Sequence, residues 1–132
     1  MEIKFEAPSV TDYLQLRQLA GLSPMSEEGA EIALPNSLFA VTLCENETLI
    51  GMGRVIGDGG CFFQVVDIAV HPDCQGKGLG KTIMNEIMAY LNQVPDKAYV
   101  SLIADHPADH LYQKYGFQYT LPRSQGMYWR RS

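Results

Sequence analysis

The stretch Gln75-Gly-Lys-Gly-Leu-Gly-Lys-Thr82 lies between an apolar run and an amphipathic one. Glycines in front of a helix are a means of holding phosphate. Two common phosphate loops fail on counting. A Walker A loop, G-x-x-x-x-G-K-S/T, read back from Gly80-Lys81-Thr82, needs glycine at 75, where the chain has Gln75. Started from Gly76 the loop is one residue short, and the backbone nest around a β-phosphate depends on that length. A dinucleotide turn, G-x-G-x-x-G, begins at Gly76 and Gly78 but meets Lys81 at its third glycine, and started from Gly78 it meets Ile83. The acidic residue expected roughly 20 positions on is also missing, since Asp105 comes too late. What remains is a glycine-rich turn in front of a helix, whose small residues leave its main-chain N–H groups open to an anion. The dipole of the following helix adds attraction on the order of a kcal/mol.

Other side chains could also do chemistry. Asp67 stands inside the apolar run 61–70. A carboxylate there has a raised pKa unless it is paired, so it is either an acid–base group or the partner of Arg54 on the neighbouring strand. His106 and His110 are four apart, a metal-ligand spacing, but no third ligand is evident in the sequence; solvent-facing histidines and no metal are expected. His71 is a candidate proton relay in the loop after the strand. Cys74, at a helix start, would favour the thiolate.

The order of features in VVDIAVHPDCQGKGLG is an apolar strand, Pro72, then Gln75, Gly78 and Gly80 in the pattern Gln/Arg-x-x-Gly-x-Gly/Ala. Downstream, DHPADHLYQKYGF carries Ala108, Tyr112, Gly116 and Phe117. Together these resemble the two signatures of the GNAT superfamily of acetyl-CoA-dependent acyltransferases, over residues 38–129; the first 37 match only in their helical pattern. Asp105 stands where the family pattern has Asn. The resemblance implies an α+β fold: a GNAT-like mixed β-sheet with an antiparallel N-terminal meander and a central parallel, splayed strand pair flanked by helices. It implies an N-acetyltransferase that moves acetyl directly from acetyl-CoA, its co-substrate, to a primary amine, without an acyl-enzyme.

The resemblance also assigns roles. Gln75, Gly76, Lys77, Gly78, Leu79, Gly80 and Lys81 would hold the diphosphate end, with Lys77 or Lys81 toward an outer phosphate. The backbone of Ile68, Ala69 and Val70 would pair with the pantetheine amides and stabilise the oxyanion. Asp105 and Ala108 would lie along the pantetheine arm. Tyr112 falls beside the CoA sulfur as the acid, protonated at neutral pH because a phenol has pKa ~10; a core tyrosine is the alternative. Gln64 occupies the position of the carboxylate base in some relatives and cannot take a proton, leaving Asp67 to act directly or through water. The acidic balance, with Asp58 and Asp67, favours a small cationic amine as acceptor. A protein N-terminus or lysine is the alternative substrate, and a non-catalytic acyl-CoA-binding module the alternative class, since Gln64 and Asp105 depart from the pattern. A homodimer through the closing strands is implied by the same analogy.

These groups need a scaffold. MEIKFEA alternates as a short strand, and 8–22 follows as a helix with Ser9 or Thr11 as N-cap and Gly21 as stop. A shorter helix ends before Pro35. Residues 38–44 and 48–56 read as a hairpin about 45–47, and Gly57–Gly60 turns the chain into the central strand 61–70. Leu79, Ile83 and Ile87, with Met84, Met88 and Leu91, form one stripe of a helix. Residues 98–104 make a parallel strand by crossover. A last helix over 107–117 and a closing strand pair, 117–120 and 126–130, complete the order.

At 132 residues one domain, 1–132, is expected. Hydrophobic content of 46% and charged content of 19% are those of a soluble globule. A net charge of −5 excludes the basic stripe of a nucleic-acid binder. The three cysteines form no C-x-x-C pair and suit a reducing compartment. No signal peptide and no apolar run of ~20 residues are present, so no membrane partner and a cytoplasmic location are expected.

Overall fold

The computed structural model describes residues 1–131 and divides into two compact units, Met1–Leu102 and the residues from Ile103 on. In the first unit, capping residues set the helices. Ser9 starts α1 (Val10–Leu19), its Oγ accepting from the Asp12 N–H at 3.2 Å. Gly21, at φ +80°, ends that turn of chain. Ser26 caps α2 (Glu27–Ala33) by accepting from the Gly29 N–H at 2.9 Å, and Pro35 then sits in a 3₁₀ turn, Leu34–Asn36.

Five strands form one sheet in sequence order: β1 (Glu2–Lys4), β2 (Phe39–Glu45), β3 (Thr48–Gly57), β4 (Phe62–Val70) and β5 (Tyr99–Leu102). The first four make an antiparallel meander, and β5 lies parallel to β4 after the crossover helix α3 (Leu79–Leu91). Positive φ at both Asn46 and Glu47 matches the twist of the β2–β3 hairpin, which favours two left-handed residues at its tip. Asp58 closes the next turn by accepting the N–H groups of Gly60, Cys61 and Phe62. Those amides, Gly60 first, then Phe62 and Cys61, hold its carboxyl below the usual range.

Side-chain alternation splits the core between two faces. Met52 and Ala69 pack with Tyr13, Leu16, Ala30 and Leu34 beneath α1 and α2. Gly51 and Gly53 turn toward α3, whose Ile83, Met84, Ile87 and Leu91 are buried. A Cβ on Gly53 would lie 2.7 Å from Ile68 Cδ1 and Ile83 Cγ2, so β3 can approach α3 only without a side chain there.

The architecture departs from the sequence reading in three places. The middle strand is β3, not β4, and the parallel pair forms one edge of the described sheet. The last helix is only α4 (Asp109–Gln113), because Pro107 precedes it and Gly116 at φ +94° ends the segment. The closing strands at 117–120 and 126–130 are not formed among the described residues. Strands need a hydrogen-bonding partner, and Tyr119, Leu121, Met127, Tyr128 and Trp129 instead stand exposed. Among the described residues no helix is long and apolar enough to cross a membrane.

Replacing Gly53 by Ala should cost about 1–3 kcal/mol by overpacking Ile68 against α3. Denaturant unfolding of the Gly53→Ala variant measures it.

Candidate functional site

The glycine-rich loop opens from the end of β4. A 3₁₀ turn, Pro72–Cys74, carries the chain out, and the His71 Nδ1 accepts from the Asp73 N–H at 3.1 Å. Gln75 folds back, its Nε2 donating to Val70 O at 3.2 Å, which pins the loop to the strand. Gly76 and Gly78 both have φ +80°, and a Cβ on either would meet nothing within 4 Å among the described residues. Their need for glycine is therefore conformational, since a β-carbon is disfavoured at that φ. Gly78 is the N-cap of α3, and the first helical bond runs from the Thr82 N–H to Gly78 O at 3.1 Å. The N–H groups of Leu79 and Gly80 thus have no acceptor within the helix, and they lie at the positive end of a 13-residue dipole. Cys74 lies in the 3₁₀ turn, five positions ahead of α3 rather than at its start; that dipole does not act on it directly.

Beside the loop, the parallel strands part. The last β4–β5 pair is Val65 with Leu102, while β4 continues to Val70. The stretch Val66–Val70 therefore has no β5 neighbour and offers its backbone along that side. Ile68, Ala69 and Val70 all lie in it. Gln64, paired with Ser101, lies just before the strands separate.

A bulge marks the same point. Met52 pairs with Ala69 and Arg54 with Val66, so Asp67 and Ile68 together oppose Gly53. Asp67 has φ +60°, a conformation that Asp and Asn tolerate better than most residues. Its side chain is 5% exposed, and it takes up the pairing alternative read from the sequence, with a second arginine added. Arg54 Nε donates to Oδ2 at 2.8 Å, Tyr13 OH donates to the same oxygen at 2.8 Å, and Arg17 Nη1 donates to Oδ1. The arginines reach further. Arg17 Nη2 donates to Ser23 O at 2.7 Å, and Arg54 Nη1 to the Ser37 hydroxyl at 2.9 Å and to Ala33 O at 3.4 Å. Both guanidinium carbons lie within 6 Å of the Tyr13 ring centre, 5.8 Å for Arg17 and 5.6 Å for Arg54. Burial, then the Asp67 carboxylate, raises the Tyr13 phenol above its ordinary value of 10.0. The sequence reading missed Arg17 and Tyr13 as site residues; a helix face with a tyrosine and an arginine four apart was the available clue.

The second unit carries the remaining residues. Tyr112 is buried on α4 with its ring centre 6.4 Å from that of Phe117. Burial, then Asp105, raises its pKa above 10.0. Asp105 and Ala108 precede the helix, joined by a bond from the Ala108 N–H to Asp105 O at 2.8 Å. The sequence reading missed Asp109, which brings a carboxylate to His106 and His110, with one donor atom of each within 4.8 Å of the others. Asp109 Oδ2 accepts from the Tyr119 hydroxyl and Oδ1 lies 3.4 Å from His106 Nδ1, a histidine–carboxylate pair. The Tyr119 bond foremost, then the two histidines, holds its carboxyl below the usual range.

The sequence profile of the Acetyltransferase (GNAT) family matches residues 10–117, across both units. A probable acetyltransferase of unknown function, SA2161 from methicillin-resistant Staphylococcus aureus, is 53% identical, with a TM-score of 0.94 over 98% of each chain. A GNAT family protein from Streptococcus pneumoniae, SP0256, is 26% identical, with a TM-score of 0.79 over 98% of this chain and 97% of that one. The uncharacterized N-acetyltransferase ycf52 of Pyropia yezoensis is 32% identical over 75% of this chain. The chain spans 59% of that relative's length.

The buried phenols of Tyr13 and Tyr112, both raised, make stability depend on alkaline pH. An unfolded tyrosine ionises near ~10, while Tyr13 and Tyr112 hold their protons higher in the folded protein, so the unfolded state loses protons first. Unfolding free energy should hold up to pH ~10 and decline above it. Denaturant melts across that range should show the decline, and Tyr13→Phe should reduce its slope.

Proposed function

This chain belongs to the GNAT acetyltransferase family, and from that membership we propose that it transfers acetyl from acetyl-CoA directly to a primary amine. The observation that carries the reading is the gap along Val66–Val70 opening beside the positive-φ loop and the start of α3. The loop and the N–H groups of Leu79 and Gly80 suit a diphosphate, with Lys77 in the loop and Lys81 in the first turn of α3. The backbone of Ile68–Val70 suits the amides of an extended pantetheine arm. No metal is needed.

In the reaction the amine nitrogen attacks the thioester carbonyl, a C–N bond forms and the C–S bond breaks. Tyr112 donates its phenolic proton to the departing sulfur, and solvent returns to Tyr112 the proton that the nitrogen gives up. Its raised pKa keeps the donor form present throughout the neutral range. Gln64 cannot serve as base, and Asp67, with both oxygens held by cationic or phenolic donors, serves as an anchor. The acceptor we assign is a small amine. Its cationic character rests on the net charge of −5, because Asp58 and Asp67 are engaged by backbone amides and by arginines. Three unpaired cysteines suit a reducing, cytoplasmic compartment.

Purified protein incubated with acetyl-CoA and a panel of amines and peptides should release free thiol with at least one small amine. Tyr112→Phe should lower kcat by about 100-fold while leaving the affinity for acetyl-CoA nearly intact. Binding without thiol release from any acceptor would make the chain a non-catalytic acyl-CoA module, and turnover confined to peptides would make it a protein acetyltransferase.

A homodimer is the second part of the proposal. Met127, Tyr128 and Trp129 are 91%, 86% and 86% exposed, and large apolar side chains in a row are seldom left in water. Sedimentation should give a dimer, and a chain ending at Gly116 should give monomers.

A further inference from the structure

Asp67 is more than a stabilising ion pair, because of where it sits. It occupies the extra residue of the β4 bulge, at the level where β5 stops pairing with β4. Immediately after it come Ile68, Ala69 and Val70. Bulges redirect the strand that carries them, so the conformation at residue 67 decides which way those three peptide groups face. Nothing in the local sequence makes φ +60° obligatory at an Asp, since a β-carbon always resists it to some degree. The conformation must be held from outside.

The hold comes from two elements at once. Arg17 reaches Oδ1 from α1, while Arg54 from β3 and Tyr13 from α1 reach Oδ2. Each guanidinium is fixed at its other end, Arg17 by Ser23 and Arg54 by Ser37 and Ala33. Charge-assisted bonds to both oxygens leave the carboxylate little freedom to rotate, and rotation of the side chain is coupled to the backbone that bears it. On the other face Ile68 packs where Gly53 leaves room, against Ile83 and Ile87 of α3. The bulge is thus clamped by charge on one side and by packing on the other.

We propose that Asp67 is a positioning residue for the acyl donor: its carboxylate, gripped by Arg17 and Arg54, fixes the bulge that turns the Ile68–Val70 backbone into the cleft. This rests on the reading of that cleft as an acetyl-CoA site. The role is separate from proton transfer, and it predicts an effect on cofactor binding greater than on the chemical step.

Asp67→Asn keeps a side chain tolerant of φ +60° and removes the charge, while Asp67→Gly keeps the backbone freedom and removes the side chain. Both should raise the acetyl-CoA KM by about tenfold with a smaller change in kcat, as for a misaligned binding surface. Amide hydrogen exchange at Ile68, Ala69 and Val70 should become faster in the folded variants. Should these variants fail to fold, Tyr13→Phe deletes one bond to Oδ2 and leaves both arginines; it should raise KM roughly threefold. A lowered melting temperature with unchanged KM and unchanged exchange at Ile68–Val70 would reduce Asp67 to a stabilising pair and overturn the proposal. Wild-type protein without affinity for acetyl-CoA would instead overturn the functional reading, so the two failures are distinguishable.

Discussion

One buried carboxylate ties the helical layer to the sheet. Asp67 is the meeting point of α1, β3 and β4, and its two arginines extend that connection to Ser23, Ala33 and Ser37. Two cations against one anion would be an unfavourable set in a dry interior. The excess positive charge is offset by the carbonyl oxygens of Ser23 and Ala33, by the Ser37 hydroxyl and by the face of the Tyr13 ring. With these donors aimed at acceptors, the cluster specifies one arrangement of the first two helices over the sheet.

The edge of β4 follows from that arrangement. The bulge at Asp67 and Ile68 falls just beyond the last β4–β5 pair, so the strand from Val66 on has an edge that β5 does not pair. The same bulge sends Ile68 to α3 and Asp67 to α1, and the missing side chain at Gly53 makes room for the first of these. Gln75 then ties the loop to the last strand residue, and α3 begins with its N–H groups beside that junction. Backbone edge and helix terminus are two forms of unsatisfied main-chain donor, and placed side by side they suit a ligand with amides at one end and phosphates at the other.

Charge illustrates how a mean property differs from a local one. The chain is acidic overall, yet its buried cluster is cationic, and Asp58, which contributes to the acidic total, is committed to capping a turn. The second unit holds Tyr112 buried, which raises its pKa, and carries an exposed aromatic pair, Tyr128 and Trp129.

Much of this was legible in the residues. Glycines at 76, 78 and 80 and the stripe Ile83, Met84, Ile87 and Leu91 fix a loop and a helix through local conformation and spacing alone, and the structure has both. The hairpin turn within 45–47 and the Ser9 cap are equally local. Asp67 was visible as an anomaly in an apolar run, with Arg54 as a candidate partner, but Tyr13 and Arg17 reach it from α1, and nothing local links that helix to it. The bulge was invisible for the same reason, because register is a relation between two strands. The closing strands were read from alternation in 117–120 and 126–130, whereas a strand exists only when an edge pairs with it. Local sequence determined the glycine-rich loop and the amphipathic helix that follows it. Tertiary structure alone decided where β4 and β5 separate and what holds Asp67, since both depend on groups far apart in the chain.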